Sequence, residues 1–207
     1  MLIIGAKGHA IEILGVIQLS SDQMRLSFYD DINKDDPDIL FNTYPILRTF
    51  EEAKTVFTYH SDFILGTGGC KARSYLFNKF SSIGGTPYSV IAPNASIGTE
   101  DVHLGVGINI MQFVFISNQV RIGKGTLINT RANIHHNVLI GNFCEICPSV
   151  TLTGGVEVGD HTFIGTGSIV LPNIKIGSNV VIGAGSVVTK NIPDNVKAFG
   201  NPAKIIL

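Results

Sequence analysis

From Leu104 onward every sixth residue is Leu, Ile or Val: Leu104, Ile110, Ile116, Ile122, Ile128, Ile134, Ile140, Ile146, Leu152, Val158, Ile164, Val170, Ile176, Ile182 and Val188. A period of six fits neither the roughly 3.6-residue period of a helix nor the two-residue alternation of a long strand. It fits a short strand and a turn, repeated, with the aliphatic side chain pointing inward. Gly follows the aliphatic at 105, 123, 141, 159, 165, 177 and 183, which suggests a corner where a positive φ is needed. If three hexads close one triangular coil, residues 18 apart stack on the same corner, about 4.8 Å apart along the axis. Residues 104–193 then make five coils, and a less regular coil from Ile91 and Ile97, with a one-residue slip near His103, precedes them.

Charged residues are only 15% of the 207, and Gly numbers 23, the composition of a compact, turn-rich body rather than of a disordered or coiled-coil chain. A net charge of -1 gives no electrostatic reason to expect nucleic acid or an anionic membrane as partner. No stretch approaches the roughly 18 apolar residues of a membrane span, and the N-terminal apolar run is too short for a signal peptide. No membrane insertion is therefore expected, and the expected compartment is the cytoplasm. Three cysteines, Cys70, Cys144 and Cys147, are an odd number and imply no disulfide framework.

The first 85 residues read differently. MLIIGAKGHAIEIL suggests a strand, a Gly5-x-x-Gly8 turn and a helix from about Ala10, whose free N–H groups could hold a phosphate. This is not the G-x-G-x-x-G fingerprint, which argues against a nicotinamide cofactor. A second strand ends in Asp30-Asp31, where an acid can accept hydrogen bonds from a ribose or base. A third, DFILGTGG, ends in Gly66-Thr67-Gly68-Gly69 and leads into the helix KARSYLFNKF. Ligands of open α/β sheets bind at the carboxyl ends of such strands. Residues 32–58 read as a connection with a short helix. The expected division is a Rossmann-like domain over 1–85 and a repeat domain with a C-terminal tail over 86–207.

The hexads, with the ending GNPAKII, resemble the hexapeptide acyltransferases, and the resemblance alone implies a left-handed parallel β-helix. The order GxxGH, Asp-Asp, Gly68-x-x-x-x-Arg73 and then the repeats resembles the bacterial sugar acyltransferases of the sialic-acid and bacillosamine type. That resemblance implies an acetyl-CoA-dependent N-acetyltransferase acting on a nucleotide-linked amino sugar. Lys7, Gly8, His9, Asp30, Asp31 and Gly68 would line the nucleotide-sugar pocket, and Glu145, Gly154, Thr166 and Ala184 would contact acetyl-CoA. Glu145 stands where close relatives carry histidine. A homotrimer with the cofactor cleft between subunits is also implied, with apolar Phe113, Val114 and Phe115 expected to contribute to its surfaces. O-acetylation of a sialic-acid-type sugar and a non-catalytic nucleotide-sugar sensor are the alternatives.

His135 and His136 follow the inward Ile134 and face out of the prism. The residue 18 beyond His136 is Gly154, so a base and a bare backbone N–H would sit on adjacent rungs, as acyl transfer requires. The family motif N-x-x-x-x-x-x-H runs from Asn129 to His136 and makes the same choice. The next residue departs from it: Asn137 stands where an Asp or Glu is usual, able to fix the ring tautomer but not to add charge. A metal site is not expected, because His103, His161, Cys144 and Cys147 do not converge with the pair.

Overall fold

The computed structural model describes residues 1–19, 25–33 and 35–206; Lys34, in the connection read from the sequence, and the terminal Leu207 lie outside them. The chain forms an N-terminal α/β unit and a β-helix. The first is β1 (Leu2–Ile4), α1 (Gly8–Leu19), β2 (Ser27–Tyr29), β3 (Ile39–Leu40), β4 (Tyr44–Leu47), α2 (Phe50–Phe57), β5 (Asp62–Leu65), α3 (Cys70–Ser81) and β6 (Thr86–Pro87). Its sheet runs β3-β4-β2-β1-β5-β6, parallel apart from the β3–β4 hairpin. The central strands β1, β2 and β5 are mostly apolar because helices cover both faces, α1 on one and α2 with α3 on the other. The connection expected over 32–58 holds, besides its helix, a hairpin whose second strand joins the sheet. That helix begins with a capping box, Thr49 and Glu52 satisfying each other's backbone N–H groups.

The second unit is the left-handed parallel β-helix. Its first face stacks Val90–Ile91, Asn109–Ile110, Leu127–Ile128, Glu145–Ile146, Phe163–Ile164 and Val181–Ile182. The second carries Asn133–Ile134 and Thr151–Leu152, and the third Leu139–Ile140 and Glu157–Val158. Between the regular coils partners are 18 residues apart, as in Asn133 with Thr151, and where the first coil meets the next they are 19 apart on two faces, as in Ser96 with Phe115. The irregular first coil is present, with strands at Ser96–Ile97 and His103–Leu104. Inward aliphatics such as Ile134, Val138, Ile140 and Leu152 form one continuous core. The tail folds back as a hairpin, Lys197–Gly200 with Ala203–Ile206, and pairs with the last coil of the first face, which shortens the open sheet edge. No described helix is long and apolar enough to cross a membrane.

The corners bend for a reason other than the one the sequence suggests. Positive φ falls at every sixth position from Gly107 to Gly185, three residues after the aliphatic rather than one, and includes Gln119, Arg131, Asn137 and His161. The glycines directly after the aliphatic have ordinary backbone angles; what they lack is room. A Cβ on Gly123 would lie 2.5 Å from the Gly141 carbonyl carbon and 2.6 Å from the Asn142 nitrogen of the next coil. Close stacking of backbones, not handedness, selects glycine there.

The two kinds of glycine should respond oppositely to substitution. Gly123→Ala is expected to destabilise by about 3 kcal/mol through overpacking against backbone that cannot move aside. Gly185→Asn, at φ 67 with nothing within 4 Å of its Cβ, should cost about 1 kcal/mol or less, since asparagine tolerates that region. Denaturant unfolding of both variants is the measurement; an equal or reversed order would remove the steric account.

Candidate active site

The carboxyl ends of β1, β2 and β5 open onto a cavity of about 280 Å³. Its wall includes Lys7, Gly8, His9, Asp30, Asp31 and Gly68, all six residues that the motifs placed at a nucleotide pocket. Gly5 makes the turn at φ 113, and a Cβ there would lie 2.8 Å from the Gly66 carbonyl oxygen. At the start of α1 the N–H groups of Gly8 and His9 donate to no acceptor among the described residues, whereas Ala10 and Ile11 already bond to Lys7 O. The helix end therefore offers two free donors to an anion. Lys7, in this wall, pairs with Asp36.

Two buried polar atoms in this wall have no partner among the described residues: His9 Nε2 and Thr67 Oγ1. His9 Nδ1 lies 3.2 Å from Glu12 Oε2. That contact holds the Glu12 carboxyl below its usual range. Orphaned donors and acceptors are rare in folded proteins and costly unless something fills the site. Thr67 was not singled out from the sequence, and only its place within the Gly66–Gly69 run could have pointed to it.

Asp30 plays a part the sequence did not suggest. Its Oδ1 accepts from the Ile32 and Asn33 N–H groups at 3.0 and 2.9 Å, and its Oδ2 from the Asn33 amide at 2.8 Å. Three acceptor positions thus hold the turn that walls the cavity. Burial pushes the Asp30 carboxyl up, but these bonds and the nearby Arg48 outweigh it and hold it below the usual value. Arg48, on no motif, knits the same loop by donating to the carbonyls of Asp30, Asn33, Asp36 and Pro37. Asp31 is less committed, with one oxygen accepting from Tyr29 OH at 2.8 Å and facing Lys79 at 3.5 Å.

Arg73 of α3, fully buried, donates to Leu65 O, Thr67 O, Gly125 O and Asn109 Oδ1, and so joins the cavity floor to the β-helix. Desolvation lowers its pKa to about 10. Beside it the Glu145 carboxylate accepts from the Gly69 N–H at 2.6 Å, capping α3 from the other unit. Its second oxygen lies against Gly68. Glu145 thus sits against the Gly68–Gly69 segment beside the cavity, on the first face, whereas Gly154 lies on the corner between the second and third faces.

The α/β unit covers the first face of the prism, burying Asn109 and Leu127. His136 is exposed on the corner between the second and third faces, opposite that covering. Its Nδ1 lies 2.8 Å from Asn137 Oδ1, and Asn137 Nδ2 donates to Gln119 Oε1 at 2.9 Å. The imidazole lies over Gly154: a Cβ there would be 2.7 Å from Nε2. The Gly154 N–H donates to no acceptor among the described residues. On the neighbouring corner such N–H groups are taken by the side chain one coil on, as Asn142 N by Asp160 and Ser178 N by Asp194. Here that position is Pro172, which has nothing to offer.

His135 is only partly exposed and packs edge-on against Phe115, ring centroids 5.9 Å apart. Thr153, one coil beyond it, turns its hydroxyl onto Val170 O at 2.6 Å. Thr166 and Ala184 stack on the corner between the first and second faces, one face away from Gly154. Phe113 and Phe115 are exposed, as expected from the sequence, but Val114 is 1% exposed and belongs to the core. No group of three or more His, Cys, Asp or Glu side chains among the described residues is placed to hold a metal ion.

Residues 1–80 match the family described as the PglD N-terminal domain, and residues 155–190 the bacterial transferase hexapeptide family, six repeats. The whole chain superposes on perosamine N-acetyltransferase from Caulobacter crescentus, crystallised with CoA and GDP-perosamine, at 31% identity and TM-score 0.90, covering 100% of this chain and 96% of that one. This chain is a hexapeptide-repeat acetyltransferase of the nucleotide-amino-sugar family. The acetyltransferase domain of PglB from Neisseria gonorrhoeae, in complex with acetyl coenzyme A, is similar to it at 25% identity and TM-score 0.88, with 99% of this chain and 98% of that one covered. WeeI from Acinetobacter baumannii is similar at 25% identity and TM-score 0.90, over the same shares. Two further structures of the Caulobacter enzyme have a histidine replaced, by asparagine in one and alanine in the other.

The hydrogen bonds to Asp30 in this acetyltransferase predict an acid-sensitive cavity wall. A carboxyl whose folded pKa is lowered contributes stability that is present above its unfolded pKa and lost as pH falls through the folded value. The wild type should therefore exceed Asp30→Ala by about 1–3 kcal/mol at neutral pH, and the gap should close below the ordinary Asp value of roughly 3.9. Urea unfolding of both proteins across that range checks the sign; a gap that widens in acid would exclude it.

Proposed function

We propose that this chain transfers the acetyl group of acetyl-CoA to the amine of a nucleotide-linked amino sugar, with His136 as general base. The observation that carries this reading is the His136 corner, where a bare Gly154 N–H lies under an imidazole whose Nδ1 faces a carbonyl oxygen. With its proton on Nδ1, the ring leaves the Nε2 lone pair free. The amine nitrogen attacks the thioester carbonyl carbon, Nε2 takes the amine proton, and the Gly154 N–H stabilises the oxyanion. Collapse breaks the C–S bond, and the proton passes to the departing thiolate. The CoA and nucleotide-sugar ligands of the Caulobacter relative support the same pair of substrates here. The two orphaned atoms, the free α1 donors and Lys7 favour a nucleotide diphosphate in the cavity.

The two halves of this chemistry lie on opposite sides of one prism. A sugar held in the cavity of one chain meets the His136 corner of another, and a closed homotrimer of side-by-side prisms supplies that arrangement three times over. Phe115, Leu139 and Ile169, apolar and exposed on the faces beside that corner, suit an interface. In the same arrangement Gly154 of one chain and Thr166 and Ala184 of its neighbour can line one acetyl-CoA cleft. Glu145, at the cavity rim, faces the sugar end of that cleft.

Mass spectrometry of the protein with acetyl-CoA and a set of nucleotide amino sugars should show one acetyl group added to one of them, on nitrogen. Acetylation of a hydroxyl alone, or no product with any, would defeat the reading. His136→Ala should lower kcat by roughly 10² to 10⁴ with KM for acetyl-CoA little changed, and His135→Ala should lose far less; equal losses would remove the assignment. Light scattering should give a trimer at micromolar concentration, and a monomer would leave the two half-sites unjoined.

A further inference from the structure

Three side chains are linked in line on the catalytic corner, and only two of them enter the reaction proposed above. Gln119 Oε1 accepts from Asn137 Nδ2 at 2.9 Å, and Asn137 Oδ1 faces His136 Nδ1 at 2.8 Å. Gln119 lies one coil before Asn137, 18 residues away, and both occupy the positive-φ position of their turns, at φ 57 and 59. Identical turn geometry on successive coils stacks their side chains, so the pairing follows from the fold itself.

A carboxylate next to the histidine would need no such partner, since both its oxygens accept. A carboxamide is different, because it presents an acceptor at one end and a donor at the other. With the carbonyl toward His136, Nδ1 carries the proton and Nε2 is free to act as base. With the amide reversed, the NH₂ group would donate to Nδ1 and leave Nε2 protonated, unable to take a proton from the amine. The imidazolium formed in the reaction also needs an acceptor at Nδ1. The polarity of one exposed amide therefore decides whether the histidine works.

We infer that Gln119 is a positioning residue: its carbonyl holds the Asn137 amide with the oxygen toward His136, and the three side chains act as a directed relay. This rests on His136 being the base. Gln119 touches neither substrate in this reading and acts only through Asn137. The relay supplies tautomer control in a chain that has asparagine in place of the family's acid.

Two substitutions at 119 separate polarity from mere contact. Gln119→Glu can only accept, so it fixes the amide in the working direction, and kcat should stay within roughly threefold of the parent, well under the loss that a missing base causes. Gln119→Lys can only donate, so it turns the Asn137 oxygen away from His136. Its kcat should fall at least roughly tenfold, toward the ~10⁴ of a wrong histidine tautomer, with KM for acetyl-CoA unchanged. A basic side chain is tolerated at this turn position, as Arg131 at φ 61 demonstrates. Adding Asn137→Asp to Gln119→Lys should restore most of the lost rate, because the carboxylate accepts from both neighbours at once.

Each variant is compared with His136→Ala under the same steady-state conditions, with oligomeric state and thermal unfolding checked. A large loss in Gln119→Lys that Asn137→Asp restores supports the relay. Equal losses in Gln119→Glu and Gln119→Lys, full activity in Gln119→Lys, or failure of the second change to rescue would each overturn it. Should His136→Ala keep its activity, the base assignment falls instead, whatever the variants at 119 do.

Discussion

The buried Arg73 guanidinium is the constraint on which the placement of the two units depends. Removing such a charge from water costs several kcal/mol unless nearly every donor finds an acceptor. Here the acceptors come from both units: the carbonyls of Leu65 and Thr67 at the end of β5, and Gly125 O and Asn109 Oδ1 on the β-helix. Neither unit alone could bury the group at tolerable cost, so the α/β unit is docked on the first face in one register. Glu145 reinforces that docking from the opposite direction, offering a carboxylate to the α3 N-terminus, where the helix dipole favours negative charge. Arg73 and Glu145 both bear on the segment 67–69 that walls the nucleotide cavity. The shape of the cavity is therefore set partly by the β-helix beneath it.

That docking has a chemical consequence. It commits one face of the prism to holding the α/β unit and leaves the corner farthest from it exposed. Each corner is built from the same turn, so the scaffold itself does not dictate where a histidine stands. At the far corner the His136 imidazole is exposed.

Much of this was legible in the sequence because a β-helix is nearly one-dimensional. A period of six fixes which side chains point inward, and a coil of 18 fixes which residues stack, so the neighbours His136 and Gly154 could be named from arithmetic. The same arithmetic would have found Gln119 beneath Asn137, had it been applied backward along the coil. What stayed hidden has specific causes. The β3–β4 hairpin is made of very short strands with a proline in one, too brief for any periodicity to register. The role of Arg48 lies in five bonds to one loop, which no spacing encodes. Asp30 stands in the cavity wall as its place at a strand end suggests, but its bonds to its own turn follow from side-chain geometry that no spacing encodes. Val114, expected at the surface with Phe113 and Phe115, is buried because the six-residue repeat puts it on the inward side.

Asn137 shows how the fold and the chemistry constrain each other at a single residue. Its backbone must adopt positive φ because every turn of the prism does so at that place, and among non-glycine residues asparagine and aspartate tolerate that region best. The fold therefore admits either residue beside His136, and both can accept the Nδ1 proton. Their difference is electrostatic. A carboxylate would stabilise a neighbouring imidazolium strongly, but its charge is costly to bury. A carboxamide avoids that burial cost but has a direction, and the direction must be held by something else. In a stacked coil the residues held within reach are those 18 positions away on either side, here Gln119 and Gly155. Of the two only Gln119 has a side chain, so the repeat that makes the scaffold regular also supplies the partner of the Asn137 amide.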